Sequence, residues 1–188
     1  MKSVCGVGIN DADYAVTQYE NGIQVWMCPF YETWKSMLVR CYSEKFQTYR
    51  PTYKGVTVVK EWHVFSTFKA WMEKQDWEGK QLDKDLLQGD VYSPETCLFI
   101  SRELNTFMTE RTRFAGELPT GVSRKGKKFC SRVNIPDGGR EFLGVFDDPE
   151  QAHSAWKSRK LSLALDYFSP HHTESVIEAL KLKYGGSI

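Results

Sequence analysis

Between Gly121 and Arg140 the chain carries Arg124, Lys125, Lys127, Lys128, Arg132 and Arg140 against one acid, Asp137. Cations at this density suit a polyanion, because lysine and arginine neutralise phosphates and arginine's fork also pairs with guanine O6 and N7. Ser123, Asn134 and Phe142 stand among them and add hydrogen-bonding and apolar reach. A second group is acidic: Asp83, Asp85, Asp90 and Glu95, followed by Glu103 and Asn105. Oxygen donors of this kind can hold magnesium with waters retained. The two groups point to different chemistry, recognition of nucleic acid and metal-assisted cleavage.

The elements that would position the basic group are legible from periodicity. Gly121 to Arg124, Lys128 to Ile135 and Arg140 to Phe146 alternate in polarity and are separated by Lys125-Gly126 and by Pro136-Asp137-Gly138-Gly139, which are turn formers. An antiparallel meander is predicted. DDPEQAHSAWKSRKLSLALDYF then places Ala152, Ala155, Trp156, Leu161 and Leu163 for a helix starting at Asp148-Pro149-Glu150, which should cover one sheet face. If Phe129, Ser131, Val133 and Ile135 face that helix, Lys128, Cys130, Arg132 and Asn134 face outward. Gly144 marks a bulge or a close approach on the third strand, so the facing of Arg140 and Phe142 depends on it. Lys125, Lys127 and Lys128 at a turn suit phosphates, whereas arginine and Asn134 suit base edges.

Upstream, residues 1–28 hold scattered glycines, the turn pair Asn21-Gly22 and a β-prone piece from Ile23 to Trp26, which predicts an arm or hairpin. Phe30, Trp34, Met37, Leu38 and Cys41 recur at helical spacing after Pro29, and Trp62, Phe65, Phe68, Trp71 and Met72 repeat the pattern. These aromatics should form a core. A strand near Leu82, a turn at Gly89-Asp90, a strand from Cys97 to Ile100 and a helix after Ser101 follow. His63 should be a surface or internally satisfied histidine, and His171-His172 lies in a loop after Pro170.

The 188 residues suit one large domain or two small ones at roughly 100–200 residues per domain. With 41% hydrophobic and 26% charged residues the chain should fold. Its net charge of +1 gives no overall polyanion signal, so the local basic stripe carries that argument. No apolar run approaches the roughly 18 residues of a membrane span, and MKSVCGVGINDADY lacks a signal peptide's apolar stretch. A cytoplasmic protein without membrane contact is expected. Five dispersed cysteines without a C-x-x-C pair predict reduced, packed thiols.

The run GVS, FCSRVNI and REFLGVFDDPEQAHSAW resembles the Apetala/ethylene-response-factor (ERF) DNA-binding domain, through Leu143-Gly144-Val145-Phe146 and Pro149-Glu150-Gln151-Ala152. Phe129 and Ser131 stand where that family has tryptophan and alanine. TWKSMLVRCY, YKGVTVVKEWHVFSTFKAWM and LDKDLLQGDVYSPETCLFI resemble bacteriophage HNH-type homing endonucleases that carry such a domain. The resemblance implies an α+β fold. An N-terminal arm (1–28) would precede a degenerate HNH-like unit of helices and short strands (29–110). A linker (111–119), an Apetala/ERF-type sheet packed on one helix (120–168) and a tail (169–188) would follow. It further implies double-stranded DNA as partner, the cytoplasm of a host bacterium as compartment, and Ser123, Arg124, Lys125, Lys127, Lys128, Arg132, Asn134, Arg140 and Phe142 as DNA-binding residues.

An HNH nuclease would use Mg2+ or Mn2+, with Asp83, Lys84, Asp85, Glu95 and Asn105 as candidate catalytic residues and Asp83 and Asp85 as metal ligands. Such an enzyme needs a histidine to deprotonate water, and Lys84 or Asp85 stands where it should be. Flanking carboxylates favour the charged form of Lys84, which argues against its acting as the base. The competing readings are a non-catalytic DNA-binding regulator or accessory protein, and a module that binds a host protein. A structural ion-pair network, closed by Lys84 or Arg40, is the alternative role for Asp83 and Asp85.

Overall fold

The computed structural model describes residues 3–109 and 118–185. The fold is α+β and divides into two compact units, Met1–Glu78 with Leu82–Phe99, and Gly79–Gln81 with Ile100–Ile188.

In the first unit, Asn21 and Gly22 adopt φ of 50° and 79°, the left-handed pair that a tight hairpin turn requires. They join β1 (Thr17–Glu20) to β2 (Ile23–Met27). Pro29 then opens α1 (Pro29–Tyr42), where its missing N–H costs nothing, and Trp34, Met37, Leu38 and Cys41 are buried along one face. A short α2 (Glu44–Tyr49) starts at Ser43, whose side chain accepts from Phe46 N–H, and β3 (Thr57–Val58) follows.

The helical pattern expected from Trp62 onward is interrupted. Lys60–His63 is a 3-10 turn, Val64 is extended, and α3 runs from Phe65 to Met72. The cause is tertiary: Ile9 N–H donates to His63 C=O (2.7 Å) and Phe65 N–H to Ile9 C=O (3.0 Å), so the N-terminal arm pairs with the chain there. Two apolar faces still meet, with Trp34, Trp62, Phe65 and Phe68 almost fully buried in one core. Trp34 Nε1–H donates to Trp62 C=O at 2.6 Å, which satisfies the buried indole.

β4 (Gln81–Asp83), β5 (Val91–Tyr92) and β6 (Leu98–Ile100) complete this part, β5 pairing parallel with β3 and β4 neighbouring β6. All five cysteines are free thiols. Burial pushes the Cys41 thiol up to about 11 and that of Cys97 up to about 12, so both stay protonated and unreactive at neutral pH.

The second unit begins with α4 (Arg102–Met108), capped by Ser101 Oγ, which accepts from Leu104 N–H at 3.1 Å. The helix therefore groups with the C-terminal half and not with residues 29–99. The expected linker, 111–119, falls mostly on residues 110–117, outside the described residues. β7 (Val122–Lys125), β8 (Lys128–Asn134) and β9 (Arg140–Phe146) form an antiparallel sheet in that order. α5 (Pro149–Phe168) starts at Asp148, whose carboxylate accepts from Gln151 N–H at 3.0 Å. Lys160, buried on α5, donates to Phe107 C=O (2.6 Å) at the C-terminal end of α4, where a cation complements the helix dipole. Residues 169–188 include α6 (Glu174–Tyr184), which buries Val176, Ala179, Leu180 and Tyr184. No helix among the described residues is long and apolar enough to cross a membrane.

Candidate nucleic-acid interface

Strand pairing assigns the two faces of the β7–β9 sheet. Ser131 and Val133 are buried and lie on the side that α5 covers, and the pairs Arg124↔Phe129 and Val122↔Ser131 share that side. The pairs Lys125↔Lys128, Ser123↔Cys130, Cys130↔Val145, Arg132↔Phe142 and Asn134↔Arg140 therefore occupy the opposite face. On it Ser123, Lys125, Lys128, Arg132, Asn134, Arg140, Phe142 and Val145 are exposed.

Three residues depart from what type or simple alternation suggests for this face. Arg124 is not on it: paired with Phe129, it stays on the helix side with its guanidinium 5.4 Å from the Phe129 ring. Cys130 has the expected facing yet is buried, because Ser123 Oγ (3.1 Å) and Arg132 Nη1 (3.5 Å) close over its sulfur. Val145 faces outward although simple alternation would turn it inward. The register shifts between Ser131 and Arg132, where Leu143 is the extra residue and Gly144 adopts φ 140°. This bulge reverses the parity of β9, so that Arg140, Phe142 and Val145 all face outward. Gly144 was the available signal for it.

The face has an apolar centre and a polar margin. The Phe142 ring is 51% exposed, with the Arg132 guanidinium 5.4 Å and the Lys125 ammonium 6.0 Å from its centroid. Arg140 Nε–H donates to Asn134 Oδ1 at 3.1 Å. Lys127 stands exposed in the turn after Gly126, whose φ of 66° suits the first central position of that hairpin. Lys128 pairs with Asp147 at 2.9 Å, both exposed, which offsets part of its charge. Behind the sheet, Arg159 Nε–H donates to both carboxylate oxygens of Glu141 (3.1 and 2.9 Å), tying α5 to β9. His153 Nδ1–H donates to Thr120 C=O (2.8 Å) and its ring stacks on Trp156.

The acidic candidates are placed differently. Asp83 is buried and its Oδ1 accepts from Leu86 N–H at 2.8 Å, which fixes the turn after β4. Lys84 is buried and its ammonium pairs with Asp85 at 2.5 Å and lies 5.9 Å from the Tyr92 ring. Arg40 joins this cluster by donating to Tyr92 Oη at 3.1 Å. Glu95 sits exposed on a turn, where the Ser93 hydroxyl holds its carboxyl below the ordinary range. Asn105, on α4 in the second unit, donates to Gln81 Oε1 at 2.9 Å.

Among the described residues no group of three or more His, Cys, Asp or Glu side chains is arranged to hold a metal ion. His63 Nε2 lies 3.2 Å from Tyr42 Oη. His172 uses both ring nitrogens, accepting from Ser101 N–H (3.0 Å) at Nε2 and donating to Phe168 C=O (2.8 Å) at Nδ1. No protein-family model matches the chain, and comparison with curated proteins and with solved structures likewise found no match.

Proposed function

We propose that this chain is a duplex-DNA-binding protein that docks the exposed face of its β7–β9 sheet into the major groove. The observation that carries the reading is the face itself: Lys125, Arg132 and Arg140 surround Phe142 on a sheet whose other side is closed by α5. A strand ribbon of this width suits the major groove, where each base pair displays a distinct pattern of donors and acceptors. Lys125 and Lys127, at the β7–β8 turn, are placed for phosphates, and Arg132 and Arg140 for base edges. The resemblance of this segment to the Apetala/ERF domain supports the same use of the sheet.

Cleavage is not part of this reading. Asp83 braces a turn and Lys84 is ion-paired to Asp85, which supports a structural role for the segment that would carry HNH chemistry. The reading is that of a non-catalytic regulator or accessory factor on DNA. The test is incubation of the full chain with bacterial and bacteriophage DNA in magnesium, manganese or chelator, read for fragments and nicks beside a gel shift. A salt-sensitive shift without cutting is expected, and Arg132→Ala should weaken it by roughly 1–3 kcal/mol. Metal-dependent fragments that disappear in a folded Asp83→Ala variant would establish a nuclease instead.

A further inference from the structure

The geometry points to a specific base feature for this face: Phe142, with Val145 beside it, contacts the C5-methyl group of a thymine in the major groove. The inference rests on the duplex-binding reading and deepens it. Phe142 is 51% and Val145 41% exposed, and they sit on adjacent cross-strand positions opposite Arg132 and Cys130. Two neighbouring apolar side chains in the centre of a cationic face cannot be matched by phosphates or by the polar base edges. The thymine methyl is the apolar group that the major groove presents, and the minor groove offers none.

The cations decide between this contact and stacking on an unpaired base. Arg132 and Lys125 both stand within 6.0 Å of the Phe142 centroid, so charge already occupies the ring's surroundings. A base laid flat on the ring would have to displace them, whereas a methyl group can meet Phe142 and Val145 with both cations left in place for flanking phosphates or purines. The bulge at Leu143 and Gly144 is what brings Val145 to this face and widens the apolar contact from one side chain to two.

The test selects binding duplexes from a random-sequence pool with the full chain. Each thymine of a selected duplex is then replaced singly by deoxyuridine, which deletes the methyl and preserves pairing. In wild type, replacement of at least one thymine should weaken binding about fourfold, the effect of removing one methyl from water. Phe142→Ala should bind the thymine and uracil duplexes equally at that position, and Phe142→Leu should retain part of the preference. The inference is overturned if no replacement weakens wild-type binding, if Phe142→Ala keeps the preference, or if single strands outcompete every duplex. A chain that binds no duplex at all overturns the DNA-binding reading too, so the two failures are told apart by whether duplexes are recovered.

Discussion

Arg140 Nε–H donates to Asn134 Oδ1 at 3.1 Å across the β8–β9 pair. The bond occupies the amide oxygen that Asn134 would need for bidentate pairing with adenine, and it leaves the terminal guanidinium nitrogens of Arg140 available. On the proposed DNA-binding reading, Asn134 positions Arg140 and Arg140 reads the base. Arg140→Ala should cost roughly 1–3 kcal/mol of duplex affinity and relax preference at one base pair. Asn134→Ala should cost less and blur preference at that same base pair, with the second substitution adding little once the first is present. Fluorescence anisotropy on a selected duplex and its single-base variants reads both effects.

Lys127 stands exposed in the β7–β8 turn, and on the proposed reading it meets a phosphate. Lys127→Ala should weaken binding to all duplexes by a similar factor and reduce the slope of log K against log salt by about 1. A change in base preference on this substitution would make it a base contact.

Gly121 has φ 81°, and a Cβ there would stand 2.1 Å from Trp156 Cδ1. Backbone strain and overpacking combine, so Gly121→Ala should destabilise the second unit by roughly 2–5 kcal/mol in denaturant unfolding. Gly126 has φ 66° with nothing among the described residues within 4 Å of the added carbon. Gly126→Ala should therefore cost only the conformational term, about 1–2 kcal/mol.

Among the described residues Ser131 Oγ is buried without a hydrogen-bond partner. Removing it relieves an unsatisfied hydroxyl and leaves a very small void, so Ser131→Ala should raise stability by up to about 1 kcal/mol. A clear loss in thermal unfolding would reveal a partner for that hydroxyl.

Asp11 accepts from Ser66 N–H (2.9 Å) and from Ser66 Oγ–H (2.5 Å), bracing the first turn of α3 from a distant part of the chain. The Ser66 hydroxyl, more than the backbone bond, holds its carboxyl below the ordinary range. Folding thus lowers this pKa, and the contribution is complete above the unfolded value near ~3.9 and is lost as pH falls through the folded one. Discounted for its exposure, the brace contributes about 0.5–1 kcal/mol. Urea unfolding of Asp11→Ala should show that deficit at neutral pH and a closing gap on acidification.

Local chemistry sufficed for much of this molecule. Asn21-Gly22, Ser101 and Asp148 specify a turn and two helix starts through their own backbone and side-chain preferences, and alternation along β8 separates Arg132 from Val133 without reference to anything else. What needed the folded chain are effects whose partners are distant in sequence. Ile9 breaks the helical pattern at Val64 by taking its neighbours' hydrogen bonds. Arg124 takes the helix side because a two-residue turn sets its partner as Phe129. Asp83 and Lys84 look like catalytic candidates by type, and their bonds to Leu86 N–H and Asp85 are visible only in the fold. The outward turn of Val145 depends on a single inserted residue, Leu143, whose effect on parity a periodic reading does not register. Side-chain type set which chemistry was available, and cross-strand register decided which groups share a surface, because register is fixed by pairing and not by composition.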